Sequence, residues 1–360
     1  MTRNEQHFVE YAVGKWADIR AAKNELAQRL IHGPRAEALK RAPASLLLSA
    51  RAAAAAISPK PVGNVVGVGI GEKISDGSPT GALAVKLLVR MKYPQTHMDP
   101  RDVLPKEIDG IPTDVDEVGT FRRFQRAAVA KKKPTGMPNP RTKIRPAQPG
   151  CSIGFQDPNN QIVMAGTFGA VVQDKNGTYV LSNNHVLADE NRLAAGAAIY
   201  QPGLLDGGSV ATDQIAALTK FVTLETQQPN TVDCAIAKVI NANLVSNDVL
   251  YIGAPQGTAD AGIDMSVHKF GRTTGYSVGT VSSVDTDVTV QYDIGNISFT
   301  GQIIVVGTGS KSFSAAGDSG SLILQRGTNK AVALLFAGSK SHTIANHISD
   351  VLKALSVALA

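Results

Sequence analysis

Cysteine is almost absent from this 360-residue chain, Cys151 and Cys234 being the two it has. That excludes a disulfide framework as the stabilising device and leads to the expectation of a reducing, cytoplasmic setting. Aromatic residues make up 5% of the chain, with a single tryptophan. Long apolar runs are missing too: the longest, Leu46 to Ile57, is short and carries Arg51, whereas a membrane-spanning helix needs about 20 apolar residues. The opening stretch MTRNEQHFVEYAVGKW mixes acids and bases and has no apolar core of signal-peptide type. No membrane partner is expected.

What is present fits a folded protein of two domains, since domains commonly run to about 100–200 residues each. Hydrophobic residues make up 43% and charged ones 18%, which argues against wholesale disorder. The formal charge of +6 is not spread evenly. Residues 122–145 carry nine bases and no acid, together with Pro134, Pro138 and Pro140. With no aromatic after Phe124, this segment reads as a solvated linker rather than a nucleic-acid-binding arm, and a docking site for an acidic partner is its alternative role.

The linker divides the chain into an accessory domain over 1–120, the basic segment over 121–149 and a second domain over 150–360. Residues 5–57 have near-helical apolar spacing through Phe8, Ala12, Trp16, Ile19, Leu26 and Leu30, broken by Pro34 and Pro43. From Asn64 the period changes to two, and a turn at Asp76–Thr80 followed by Ala82–Met91 completes a hairpin. Gly67, Gly69 and Gly71 lie within the first of these strands with no helix after them, so they do not form a dinucleotide loop. Beyond Cys151 the pattern is all-β, with strands expected at 165–172, 179–183, 197–201, 232–239, 279–284, 288–292, 297–306, 321–325 and 331–336. Helical spacing returns at Ile348, Val351, Leu352 and Leu355.

Three segments carry chemistry: SNNHVLA at 182–188, NTVDCAIAKV at 230–239 and AAGDSGSLIL at 315–324. Acyl transfer by serine needs a nucleophile, a base to take its proton and an acid to hold that base in one tautomer. Ser319, His185 and Asp233 fill those roles in the chain order His, Asp, Ser. The amides of Gly317 and Ser319 are candidates for an oxyanion hole. Asp213 competes with Asp233 as the acid, but lies 28 residues after His185 in ATDQIAAL. Cys234 alternates with Asp233 along a strand and reads as an apolar filler. An α/β-hydrolase is excluded, because its elbow is G-x-S-x-G and its histidine follows the serine.

On GDSG at 317–320 above all, the sequence resembles the trypsin-like serine protease superfamily. More narrowly it is similar to bacterial trypsin-like proteins related to the plant narrow-leaf family. Marking stretches are NVVGVGIGEK, IDGIPTDVDEVG, PGCSIG, LSNNHVLADENR, QPGLLDGG, GRTTGYSVGTV and LLFAGSKSHTIANHISDVLKAL. The resemblance implies a mainly β fold, a double six-stranded chymotrypsin-like β-barrel behind the N-terminal α+β domain, with the site between the barrels. It implies no metal, no organic cofactor and a protein or peptide substrate, and leaves oligomerisation open. It also places Phe313, Ser314 and Gly338 in the substrate pocket. Asn183 and Asn184 before the histidine and Ser321 after the nucleophile depart from the secreted pattern. Activity as a serine endopeptidase is the expected function, and a catalytically weak or inactive protease-shaped scaffold is its alternative.

Overall fold

A computed structural model describes residues 12–33, 61–123, 136–156 and 164–360. Much of the expected helical region over 5–57, and Arg126 and Lys131–Lys133 of the basic segment, lie outside the described residues. Helix α1, Ala12–Ala27, passes into a wider turn at Gln28–His32. Ile19, Ala22, Leu26 and Leu30 form one buried stripe of it, at the spacing that puts side chains on one helical face.

That stripe packs on Val68, Ile70, Val85 and Leu87 of a hairpin. Its strands are β1, Val65–Ser75, and β2, Ser78–Val89, joined by Asp76 and Gly77, both at positive φ. Two such residues give the tight turn whose twist matches a hairpin. A short helix α2, Pro61–Asn64, precedes β1, while β3, Glu107–Ile108, and β4, Ile111–Glu117, follow, with β4 parallel to β2. A short strand β5, Arg122–Arg123, ends this part of the chain.

The second domain begins with β6, Ser152–Phe155, then β7, Gly166–Thr167, β8, Ala170–Asp174, and β9, Gly177–Ser182. After the single-turn helix α3, Asn184–Leu187, come β10, Ala198–Tyr200, β11, Gln214–Phe221, and β12, Ala235–Val239. Taken as one bent strand, β7 and β8 pair with β6 at one end and β9 at the other, which closes the first barrel around Val171, Val180, Ile199, Ile215 and Ile236.

The second barrel is built from β13, Ser266–Gly271, β14, Gly275–Tyr292, β15, Gly295–Gly307, β16, Leu322–Gln325, β17, Ala331–Gly338, and β18, His342–His347. Its ring closes through the β13–β14 and β13–β16 pairings. Helix α4, Ile348–Leu355, has the expected apolar face, and β19, Ala358–Leu359, returns to pair with β8.

The small N-terminal sheet does not stand apart: β1 pairs antiparallel with β14, so hairpin and second barrel share one sheet. Gly69 and Gly71 make this approach feasible, since a Cβ would stand 2.2 Å from Thr286 Oγ1 and 2.4 Å from the Ser282 carbonyl respectively. The G-x-G-x-G run is thus a packing device.

Charge fastens α1 to the same strand. Lys23 Nζ and His32 Nε2 reach the two carboxylate oxygens of Asp287 at 2.7 and 2.9 Å. Burial pushes the Asp287 carboxyl up, but His32 and Lys23 outweigh it and hold it below the usual range. A carboxyl lowered by folding contributes stability above its unfolded pKa of about 4 and loses it as pH falls. Asp287→Asn, which leaves Lys23 buried without this partner, is expected to cost about 3 kcal/mol at pH 7. In urea titrations the difference between the two proteins should shrink steadily below pH 4; a difference independent of pH would show that charge is not what docks α1.

Candidate active site

His185 stands on the single turn α3 just past β9, and its position is fixed by the two asparagines before it. Asn183 Nδ2 donates to the Asp233 carbonyl at 2.8 Å. Asn184 donates to the Val222 carbonyl and to Asn191 Oδ1, each at 2.7 Å. The departures seen in the sequence at 183 and 184 therefore hold the histidine loop.

Asp233, just ahead of β12, receives His185 Nδ1 on Oδ2 at 2.6 Å and the His185 backbone N–H on Oδ1 at 3.3 Å. Both residues are wholly buried. A third residue, invisible to sequence reasoning, completes the set: the Tyr292 hydroxyl, at the end of β14, donates to Asp233 Oδ2 at 2.7 Å. Its ring lies edge-on to His185, with centroids 5.9 Å apart. Burial first, and then the neighbouring carboxylate, raise the Tyr292 phenol well above its ordinary pKa, so it stays a donor. No motif spacing marks a lone tyrosine at a strand end, so the sequence held no signal for it.

Ser319 lies in a tight turn between Gly317 and Gly320, both at positive φ. Gly320 cannot be replaced cheaply, because a Cβ would stand 2.1 Å from Ser182 Oγ and 2.3 Å from the Thr167 carbonyl. Gly166 is wedged between Val186, next to His185, and the Ser319 carbonyl, which sets the two loops side by side. Nε2 of His185 is buried and has no hydrogen-bond partner, while the Ser319 hydroxyl donates to the Phe336 carbonyl at 3.2 Å. Among the described residues no acceptor is recorded for the amides of Gly317 and Ser319, the pair expected to face an oxyanion.

Asp318 braces this turn. Its carboxylate accepts from the amides of Thr273, Thr274 and Ala315 at 2.8, 3.1 and 2.9 Å and from the Thr274 hydroxyl at 2.7 Å. Lys269 Nζ, wholly buried, adds an ion pair at 3.3 Å. Burial lowers the Lys269 pKa, and Asp318 opposes that shift. Arg272 forms a two-pronged buried pair with Asp206 at 2.5 and 2.8 Å.

Of the residues expected to line a substrate pocket, Ser314 and Gly338 both meet Thr343 of β18, and Phe313 is turned into the second barrel. Phe313, in the loop after β15, packs in the interior of the second barrel with Val267, Val281 and Ile303. The Ser314 hydroxyl is bonded to Thr343 Oγ1 at 2.6 Å. Gly338 ends β17, between Thr343 of β18 and Arg122 of β5. Asp213, the rival acid, is engaged elsewhere, with Lys143 Nζ at 2.5 Å. Within the basic segment Arg123 is buried against Glu190 and Asp293, whereas Arg122 is exposed, and Arg145, also exposed, donates to the Gln201 carbonyl at 2.8 Å. Among the described residues no group of three His, Cys, Asp or Glu side chains is arranged to hold a metal ion.

No family model matches the chain, and no curated protein matches it in sequence. Solved structures do superpose on it, and they are trypsin/chymotrypsin-like serine proteases. Thermobifida fusca Protease A is 18% identical and aligns over 59% of this chain and 97% of its own, with a TM-score of 0.42. A Nocardiopsis protease is 15% identical over 59% and 99%, at 0.43. Alpha-lytic protease homolog N4 is 18% identical over 61% and 100%, at 0.42. With TM-scores below 0.5 this likeness carries no argument, and the mainly β architecture of two closed barrels rests on the chain's own pairings.

Both cysteines are buried and unpaired. Burial pushes the Cys151 thiol up to about 12 and raises Cys234 well above the ordinary thiol value, the latter helped by Asp233. Because the thiolate is the reactive form, neither should react with Ellman's reagent at pH 8 in the folded protein, and both should after denaturation. Rapid labelling of the native protein at Cys234 would show that the interior beside Asp233 opens to solvent.

Proposed function

We propose that the protein is a serine endopeptidase that hydrolyses peptide bonds through an acyl-enzyme, with Ser319 as nucleophile, His185 as general base and Asp233 orienting the base. The observation that carries this reading is the buried His185–Asp233 pair with Nε2 left unpartnered beside the Ser319 turn. A buried polar atom without a partner costs about 1–3 kcal/mol. Such a cost persists where the atom has chemistry to perform.

In the proposed sequence the Ser319 hydroxyl leaves the Phe336 carbonyl and gives its proton to Nε2. The freed lone pair on Oγ forms a bond to the substrate's carbonyl carbon, and the carbonyl π pair moves onto oxygen. That oxyanion takes the N–H groups of Gly317 and Ser319, donors worth roughly 3–4 kcal/mol in the transition state. Collapse of the tetrahedral species expels the amine, which carries away the proton held by His185. Water, deprotonated by the same nitrogen, then releases the acyl group by the reverse arrangement. Asp233 stays ionised throughout, and the Tyr292 hydroxyl shares its charge while holding it in line with Nδ1.

The second reading is a protease-shaped binding protein, favoured by the Ser319 hydroxyl being tied to Phe336 rather than to His185. A fluorophosphonate probe separates the two: the folded protein should be labelled at Ser319, and Ser319→Ala should not be labelled. Ser319→Ala and His185→Ala should each lower peptide turnover by about six orders of magnitude, and together by little more. Absence of labelling in the folded, unmodified chain would favour the binding protein. Tyr292→Phe removes a hydrogen bond to a charged group, worth about 1.5–3 kcal/mol. It should lower kcat by 10- to 100-fold with KM held, whereas a rise in KM alone would place Tyr292 in substrate binding instead.

A further inference from the structure

The edge of β17 is occupied by three partners in succession. β16 pairs with it as far as Leu334, and the Gly320–Ser321 turn exchanges hydrogen bonds with Leu335. The Phe336 carbonyl takes the Ser319 hydroxyl. Ala337 and Gly338 pair antiparallel with Arg123 and Arg122 of β5. From Arg122 to Arg123 the chain therefore advances along β17 towards Phe336, and so towards Ser319. That is the polarity required of a peptide whose acyl side must end at the nucleophile. On its other side β5 is fixed to β14, where Gln291 N donates to the Phe121 carbonyl at 3.0 Å.

Side chains alternate as in any strand. Phe121 is wholly buried in the cluster that contains Tyr292, Phe299 and Phe336, and Arg122 points to solvent. Arg123 is 5% exposed and forms ion pairs with Glu190 and Asp293. The acidic pocket is built, not incidental. Asp189, Glu190 and Asn191 all have φ between 47° and 72°, a region costly for such residues and one that marks functional turns. Glu190 itself is buried and accepts from the amides of Asp293 and Ile294 at 3.2 and 2.9 Å. An ionised carboxylate in that position demands a cation, because an unpaired buried charge costs several kcal/mol.

We propose that Phe121–Arg123 is a built-in occupant of the acyl-side peptide groove, and that the groove's external ligands are extended polypeptides carrying an aromatic residue two positions before an arginine. Once β5 leaves, strand addition to the edge of Ala337 and Gly338 supplies the backbone hydrogen bonds. The apolar cluster takes the aromatic ring, and Glu190 with Asp293 takes the guanidinium. Any incoming polypeptide must first displace β5, which lowers its apparent affinity by the fraction of time the groove is open. The inference rests on the proposed hydrolase only in identifying Ser319 as the nucleophile that the groove serves.

The test uses Ser319→Ala protein, so that binding is read without turnover. A fluorescent peptide of sequence Phe-Arg-Arg, amidated, is titrated against this protein and against the same protein carrying Arg123→Ala. The peptide should bind the Arg123→Ala protein at least about tenfold more tightly, and replacing its final arginine by glutamate should abolish binding. Equal affinity for both proteins would overturn the proposal, as would no binding to a variant that retains its thermal transition. Hydrogen exchange on the Ser319→Ala chain, with β5 unaltered, needs no groove variant. Saturating peptide should speed exchange at 121–123 while 337–338 stay protected, and unchanged exchange at 121–123 would equally overturn it. Neither failure bears on phosphonate labelling of Ser319, so the two proposals stand or fall separately.

Discussion

The carboxylate of Asp233 is the point on which both barrels depend. It is wholly buried, and an ion of that kind is tolerated only when its oxygens are satisfied. Its partners come from different parts of the chain: His185 after β9 and Tyr292 at the end of β14 donate to the side chain. The backbone of the same residue is held by Asn183 and by Asn346 of β18, the latter accepting from the Asp233 amide at 3.0 Å. One residue thus ties two strand ends of the first barrel to two strands of the second. The orientation of the imidazole and the docking of the barrels are consequences of the same hydrogen bonds.

A second buried charge plays the matching part for the nucleophile. Asp318 gathers three amides, a hydroxyl and Lys269 around the turn that presents Ser319. Holding both carboxylates by donors from neighbouring loops costs desolvation but leaves the loops with one arrangement. The accessory part of the chain joins this frame through backbone pairing. β1 extends the sheet of the second barrel, and β5 pairs with both β14 and β17.

Much of this was legible in the sequence where local pattern and burial agree. The hairpin at β1 and β2, most strands of both barrels and α4 follow the alternation or helical spacing of their apolar residues. His185, Asp233 and Ser319 stood out by their segments, and the structure places the first two in direct contact and the third in the adjoining turn. Four barrel strands escaped: β6 and β11, whose buried residues are largely apolar, and two whose buried side chains are polar. β13 carries buried His268 and Lys269, and β18 carries buried His342, Thr343 and Asn346, so neither reads as a strand. β14 looked like two strands because its bulges interrupt the alternation near Ser283. Most misleading was Arg123 of β5: an arginine in a basic run looks solvated, and its acids, Glu190 and Asp293, are remote in sequence. Phe313, placed by likeness beside the substrate, lies in the loop between β15 and β16 and is buried in the second barrel, an orientation that its sequence position did not reveal.

The central claim is that His185, oriented by Asp233 next to the Ser319 turn, serves acyl transfer by Ser319. Rapid quenching in acid of the unmodified chain with an activated peptide ester, followed by peptide mass mapping, tests it most directly. The account predicts one acyl group per molecule, attached to Ser319 and absent when His185 is replaced by alanine. An acyl group on any other residue, or none while the ester is still consumed, would contradict it.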